Sequence, residues 1–177
     1  MSPPRFALSI LAGGKSKRMG RNKARLRLKG KSLLAWVKAA AMATGWPVRV
    51  IRRDRWPGRG PLGGVHTALS TTRADTDAEI FLACDMPFMS VELLRHVFSR
   101  LGAHDAVFAS VNGVPGFPFV VRTRALPVVE AQLQAGKLSL RELAQVLQAR
   151  LARVPVRMRR TLTNLNTLEE WAQAVER

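Results

Sequence analysis

The apolar run Phe6-Ala-Leu-Ser-Ile-Leu11 ends directly on Ala12-Gly13-Gly14, and a dense basic stretch follows with Lys15, Lys17, Arg18, Arg21 and Lys23. This junction limits the folds open to the chain. A short apolar run with few polar breaks reads as a strand buried on both faces, the pattern of a parallel sheet. Small residues behind such a strand let an anion approach the backbone, because no Cβ stands in the way. Successive free N–H groups in the turn form an anion-binding nest. No carboxylate precedes Asp54, so the N-terminal part is a field of cations suited to a polyphosphate. A P-loop is excluded because its first glycine would fall at Ser9, and the dinucleotide fingerprint fails because the glycines stand at 13, 14 and 20. The plainer alternative is a tight turn followed by a solvated basic loop.

Beyond this loop, strands and helices alternate. Ser32 caps an expected helix over 33–44 that Gly45 stops, and Val48 to Ile51 is the next strand. After a loop rich in Arg, Pro and Gly, the turn Gly60-Pro-Leu-Gly-Gly64 leads into a helix over 65–72. That turn either points a helix N-terminus at a ligand or crosses close to the sheet. The apolar strand 79–84 delivers Asp85 at its carboxyl end, and Ser90 caps a helix over 91–101. Strands over 105–111 and 117–121 flank Asn112-Gly113, a longer span than a minimal hairpin, so a flap or irregular ribbon is expected. Helices over 126–135 and 140–151 follow, the second opened by the capping box Ser139 to Glu142, then a strand over 154–158. A second capping box, Thr167 to Glu170, opens a last helix to Val175. This alternation indicates an α/β fold in one domain over 1–177, with a mainly parallel sheet and helices on both faces.

Asp85 is the strongest candidate for chemistry. Ligands of open α/β sheets bind outside the carboxyl ends of strands. One carboxylate with phosphate oxygens and waters is the usual way to hold Mg²⁺. The alternative is a capping Asp at the turn before Pro87. Asp54 is the other acid in the N-terminal half able to approach a nucleotide there, and its place between Arg53 and Arg55 suggests simple pairing with those arginines. Cys84 is single and has no His at nucleophile spacing. His66, His96 and His104 form no ligand pattern and read as ordinary helix or loop residues. Trp36, Trp46, Trp56 and Trp171 read as packing residues.

Four segments together carry a family resemblance: Leu11-Ala-Gly-Gly-x-x-x-Arg18-Met-Gly-x-x-Lys23, Gly60-Pro-Leu-Gly-Gly64, Cys84-Asp-Met-Pro87 and Asn164-Leu-Asn-Thr167. In this order they resemble the molybdenum cofactor guanylyltransferases, the MobA-type nucleotidyltransferases, and they span nearly the whole chain. The resemblance implies a Rossmann-like nucleotidyltransferase domain. It implies Mg²⁺-dependent transfer of GMP from GTP to the phosphate of molybdopterin or molybdenum-molybdopterin, with release of pyrophosphate. It places Leu11, Ala12, Gly13, Gly14, Lys15, Lys23, Asp54 and Asp85 on the nucleotide, with Asp85 as the metal ligand. Asp85, Lys23 and Arg18 become the catalytic groups, and Asn164 and Asn166 face the pterin-bearing substrate. Molybdoenzymes receiving the cofactor become partners. Two departures stand out: Asn22 replaces the family's Asp, and Leu168 replaces its Pro. The neighbouring readings are a cytidylyltransferase or a sugar-phosphate nucleotidyltransferase of the same fold.

A net charge of +17 raises a rival reading, a non-catalytic basic protein that binds nucleotides or nucleic acid. The bases, however, cluster at 15–31, 49–59 and 150–160, with no recognition-helix pattern and no aromatic-rich stacking motif. Nucleic acid is therefore not expected as a partner. The run Phe6 to Ala12 is too short to span a membrane. A lone cysteine excludes an intrachain disulfide and suits the cytoplasm.

Overall fold

The apolar runs form the strands of one open sheet, and the amphipathic stretches between them become helices that cover it. The computed structural model describes residues 5–13 and 27–164. Gly14, Lys15, Arg18, Asn22, Lys23, Asn166 and the expected last helix lie outside the described residues. The elements in chain order are β1 (Phe6–Leu11), a ribbon of β2 (Arg27–Leu28) and β3 (Lys31–Ser32), α1 (Leu33–Met42), β4 (Val48–Ile51), α2 (Gly60–Ser70), β5 (Ala78–Ala83), α3 (Val91–Phe98), β6 (Ala106–Val111), β7 (Val114–Arg122), α4 (Leu126–Gln134), α5 (Leu140–Val146) and β8 (Arg150–Arg153). The six-stranded sheet has the order β4-β1-β5-β7-β6-β8. Every strand runs parallel except β7, which is antiparallel to both β5 and β6.

Alternate strand residues point to opposite faces, and the core divides accordingly. Leu8, Ile10, Ile80, Leu82, Val107 and Val120 pack with Val37 and Ala41 of α1 and with Leu93, Leu94 and Val97 of α3. Leu11, Phe81, Phe108 and Phe119 pack with Leu62, Val65 and Leu69 of α2, Val129 and Leu133 of α4, and Leu143 of α5. On this second face Phe81, Phe119 and Phe108 lie in one cross-strand row, with ring centroids 5.0 Å and 4.5 Å apart. The central strands β1, β5, β6 and β7 are thus buried on both sides over most of their length, as their near-continuous apolar character requires.

One buried charge breaks this pattern. Glu79 on β5 is 0% exposed. It accepts a 2.6 Å hydrogen bond from Ser9 Oγ of β1 and pairs with Arg49 of β4. Arg49 also donates from Nε to Ser9 Oγ (3.0 Å) and from Nη1 to the carbonyl oxygen of Thr71 (3.0 Å), just past α2. A cation at the carbonyl end of a helix is favourable. This network links β4, β1, β5 and α2, the elements that shape the edge described next.

Four boundaries differ from expectation. Helix α2 takes in Gly60 to Gly64 as its own first turns, with Pro61 near its start, where a missing N–H costs nothing. Asn112 (φ 52°) and Gly113 (φ 78°) form a tight two-residue turn joining β6 to β7, in place of a flap. Both central residues have positive φ, as such a hairpin demands, and the surplus residues are absorbed by a register shift after Phe108. Helix α5 ends at Val146, and Gln148 (φ 46°) reverses the chain into β8. Only Ala152 of β8 is buried, so this charged edge strand has no apolar alternation to announce it. The stretch expected as a strand over 154–158 is largely a 3-10 helix, Val156–Leu162.

Candidate active site

Connections part at β1. The chain passes from β1 through α1 to β4 on one side, then through α2 back to β5 on the other. The two helices lie on opposite faces, so a crevice opens at the carboxyl ends of β4, β1 and β5, where open α/β sheets bind ligands. Backbone bonds continue past the strand ends: Ala12 N donates to Ile51 O (2.8 Å), and Cys84 N donates to Leu11 O (3.2 Å). They set the Ala12-Gly13 turn between the Arg52–Asp54 segment and the Cys84–Asp85 turn.

Glycines make the crevice narrow. A methyl group on Gly13 would come within 3.0 Å of Asp54 Oδ1. One on Gly64 would meet Leu11 Cδ2 at 3.1 Å and Asp54 Oδ1 at 3.5 Å, and one on Gly63 would meet the Trp56 carbonyl oxygen at 3.0 Å. The start of α2 therefore seats itself against the end of β1 with Asp54 between them. Early N–H groups of a helix are unsatisfied and attract anions. Both readings of the Gly60–Gly64 segment thus apply: it lies close to the sheet, and it directs a helix N-terminus to the carboxyl edge.

Asp54 is half-buried in this pocket of backbone, and burial pushes its carboxyl above the ordinary Asp range. The expected pairing with Arg53 or Arg55 is not formed among the described residues, where no ion pair reaches Asp54. Instead the Arg55 backbone N–H donates to Thr67 Oγ1 of α2 (2.8 Å), which fixes the loop to the helix. A carboxyl with a raised folded pKa contributes stability below its unfolded pKa and loses it as pH rises through the folded value. Asp54→Asn removes that penalty. The melting temperature of the variant, measured relative to the parent, is expected to be higher at pH 7 than at a pH below the ordinary Asp range. An equal difference at both pH values would mean that Asp54 is not desolvated.

Asp85 is half-buried in the turn after β5. It and Asp54 flank β1, with their strands about 10 Å apart at two strand spacings. Both are hard oxygen donors at the mouth of one crevice, so the edge fits a divalent cation. Among the described residues no group of three or more His, Cys, Asp and Glu converges. A cation held by one or two carboxylates and by substrate phosphate oxygens requires none.

Of the other candidates, Leu11, Ala12 and Gly13 lie at the crevice, and Asn164 is exposed just after the 3-10 helix. His66 is buried on α2, with Nε2 3.1 Å from Glu130 Oε1 of α4 and its ring 5.9 Å from that of Trp56. It acts as a structural contact behind the Trp56 loop. His96 Nε2 lies 3.0 Å from the Arg153 carbonyl oxygen. Sequence patterns missed the arginines of the 3-10 helix, since only β8 and its neighbours bring them to this edge. Their signal was the basic cluster at 150–160.

Comparison with known proteins agrees with this fold. Residues 8–154 match the model of the MobA-like NTP transferase domain. The probable molybdenum cofactor guanylyltransferase of Opitutus terrae is 31% identical, over 93% of this chain and 92% of that protein. The molybdenum cofactor guanylyltransferase of Xanthomonas euvesicatoria pv. vesicatoria is 29% identical, over 94% of this chain and 92% of that protein. The crystal structure of molybdopterin-guanine dinucleotide biosynthesis protein A from Archaeoglobus fulgidus superposes with a TM-score of 0.71 at 22% identity, covering 96% and 97% of the two chains. That last likeness establishes the fold.

Proposed function

This chain belongs to the MobA-like NTP transferase family, and from that premise we propose that it transfers GMP from GTP to the phosphate of molybdopterin or its molybdenum-loaded form. A phosphate oxygen of the acceptor attacks the α-phosphorus of GTP. The new O–P bond forms as the bond to the β-phosphate bridging oxygen breaks, and pyrophosphate leaves. The product is the guanine dinucleotide form of the cofactor, which molybdoenzymes then receive. The whole chain, 1–177, acts as one cytoplasmic domain.

The observation that carries the reading is the shared edge. The glycine turn of β1, the start of α2 and Asp85 all open on one crevice at the point where the connections part. Leu11, Ala12, Gly13 and Gly14 offer backbone groups to the nucleotide, and the start of α2 offers N–H groups to its phosphates. Asp54 accepts hydrogen bonds from the nucleoside. Asp85 is the ligand for Mg²⁺, which when bound supplies charge neutralisation on the triphosphate. Lys23, with Lys15 and Arg18, supplies positive charge where negative charge grows at the α-phosphate. Asn164 and Asn166 face the pterin. The site works by placing two phosphates in line and screening their repulsion, with no covalent enzyme intermediate.

Pyrophosphate release is the direct test, measured with each nucleoside triphosphate in the presence of Mg²⁺ and molybdopterin. Release with GTP alone is expected. Release with CTP alone would move the chain to cytidylyl transfer, and no release with any nucleotide from folded protein would overturn the reading.

A further inference from the structure

The carboxyl edge carries arginines on the far side of Asp85 from Asp54. Strand β8 runs in the same direction as β6, and β6 in the same direction as β5 and β1. The chain therefore leaves β8 on the carboxyl edge, passes Val154 and Pro155, and forms the 3-10 helix Val156–Leu162 there. Met158 of this helix is buried in the same core cluster as Met86 and Met89, and Leu162 packs against that cluster. The guanidinium of Arg160 lies 5.7 Å from the centre of the Phe88 ring. The helix thus rests on the turn that follows Asp85. Phe88 in turn packs against Leu28 of the β2–β3 ribbon and Leu33 at the start of α1.

The arginines of this helix are not equivalent. Arg157 is engaged with Glu92, Nη2 to Oε1 at 2.9 Å. Arg159 and Arg160 form no ion pair among the described residues. Arg160 is exposed, whereas Arg159 is half-buried, and its Nε is wholly buried without an acceptor. Buried N–H groups in folded proteins are almost always paired, so an unpaired one needs an explanation. Two consecutive arginines without carboxylate partners, one of them with a buried N–H that lacks an acceptor, suit a phosphate monoester, which is a dianion that arginine binds through paired N–H groups.

We propose that Arg159 and Arg160 bind the phosphate monoester of the acceptor and hold it on the β8 side of Asp85, opposite the nucleotide on the β4 side. The inference rests on the guanylyl-transfer reading for the identity of the acceptor. It explains how one crevice sorts two phosphorylated substrates: the donor lies over β4 and β1, and the acceptor lies between Asp85 and Asn164.

The test is an equilibrium titration of molybdopterin into nucleotide-free protein, for the parent and for Arg159→Gln, Arg160→Gln, the double variant, Arg160→Lys and Arg157→Gln. Each glutamine variant at 159 or 160 is expected to weaken acceptor binding about tenfold or more, the worth of a charge-assisted contact. Arg160→Lys recovers part of the loss, Arg157→Gln binds as the parent does, and KM for GTP stays unchanged in all of them. Parent-like binding by the double variant would overturn the proposal. An equal loss in Arg157→Gln would too, because it would report net charge alone, and so would a matching rise in the KM for GTP. Absence of acceptor binding by the parent also overturns it. The titration does not require turnover: acceptor binding lost in the variants, combined with no pyrophosphate release by the parent, would sink the transfer reading and leave the phosphate clamp standing.

Discussion

Asp85→Asn is expected to lower pyrophosphate release from GTP at least about a hundredfold, the scale of removing one preorganised electrostatic group from a transition state. Asparagine keeps the size and one oxygen but removes the charge. Asp85 is half-buried just beyond the end of β5, so the change leaves the packing of β5 in place. The Mg²⁺ concentration needed for half-maximal rate is expected to rise along with the fall in rate. Asp54 stands on the other side of β1 and does not replace it. A variant that retained its rate within a few-fold, with unchanged Mg²⁺ dependence, would remove Asp85 from the metal site.

The largest effect on stability is expected at Arg49. Arg49→Met leaves the Glu79 carboxylate fully buried, with Ser9 as its remaining partner, and is expected to destabilise the fold by about 3–5 kcal/mol, the usual cost of orphaning a buried charge. The same change removes the donors that reach the Ala68 and Thr71 carbonyl oxygens at the end of α2. Adding Glu79→Leu is expected to restore much of the loss, because the charge that lacked a partner is gone. Denaturant unfolding of both single variants and the double variant measures this coupling. If the double variant is as unstable as the sum of the two singles, the network does not act as a unit. Because the network ties β4, β1 and β5 together, Arg49→Met is also expected to weaken nucleotide binding at the opposite end of the same strands.

Much of the site was legible in the chain because its determinants are local. A run of apolar residues closed by glycines commits β1 to burial and its end to backbone exposure, whatever the rest of the chain does. Asp85 was legible for the same reason, since an apolar strand that stops on a carboxylate leaves it at the rim of the core. The caps at Ser32, Ser90 and Ser139 were readable because a side-chain oxygen bonds to N–H groups two or three residues on, and all three do so here.

Other features depend on distant partners, and no local pattern carries them. Asp54 lies between two arginines in sequence, yet its environment is set by Gly13 and Gly64, which approach from β1 and α2 and desolvate it. The buried Ser9–Arg49–Glu79 network joins three strands whose adjacency exists only in the sheet. Strand β8 offers one buried residue and is a strand because β6 presents an unpaired edge to it. Residue order and chemistry alone determined the strand–helix alternation, the small-residue turn that closes β1 and the acid at the end of β5. The neighbours of Asp54, the partner of Glu79 and the arrival of Arg159 and Arg160 beside the Asp85 turn were decided by tertiary structure, because desolvation and charge pairing act across space between groups far apart along the chain.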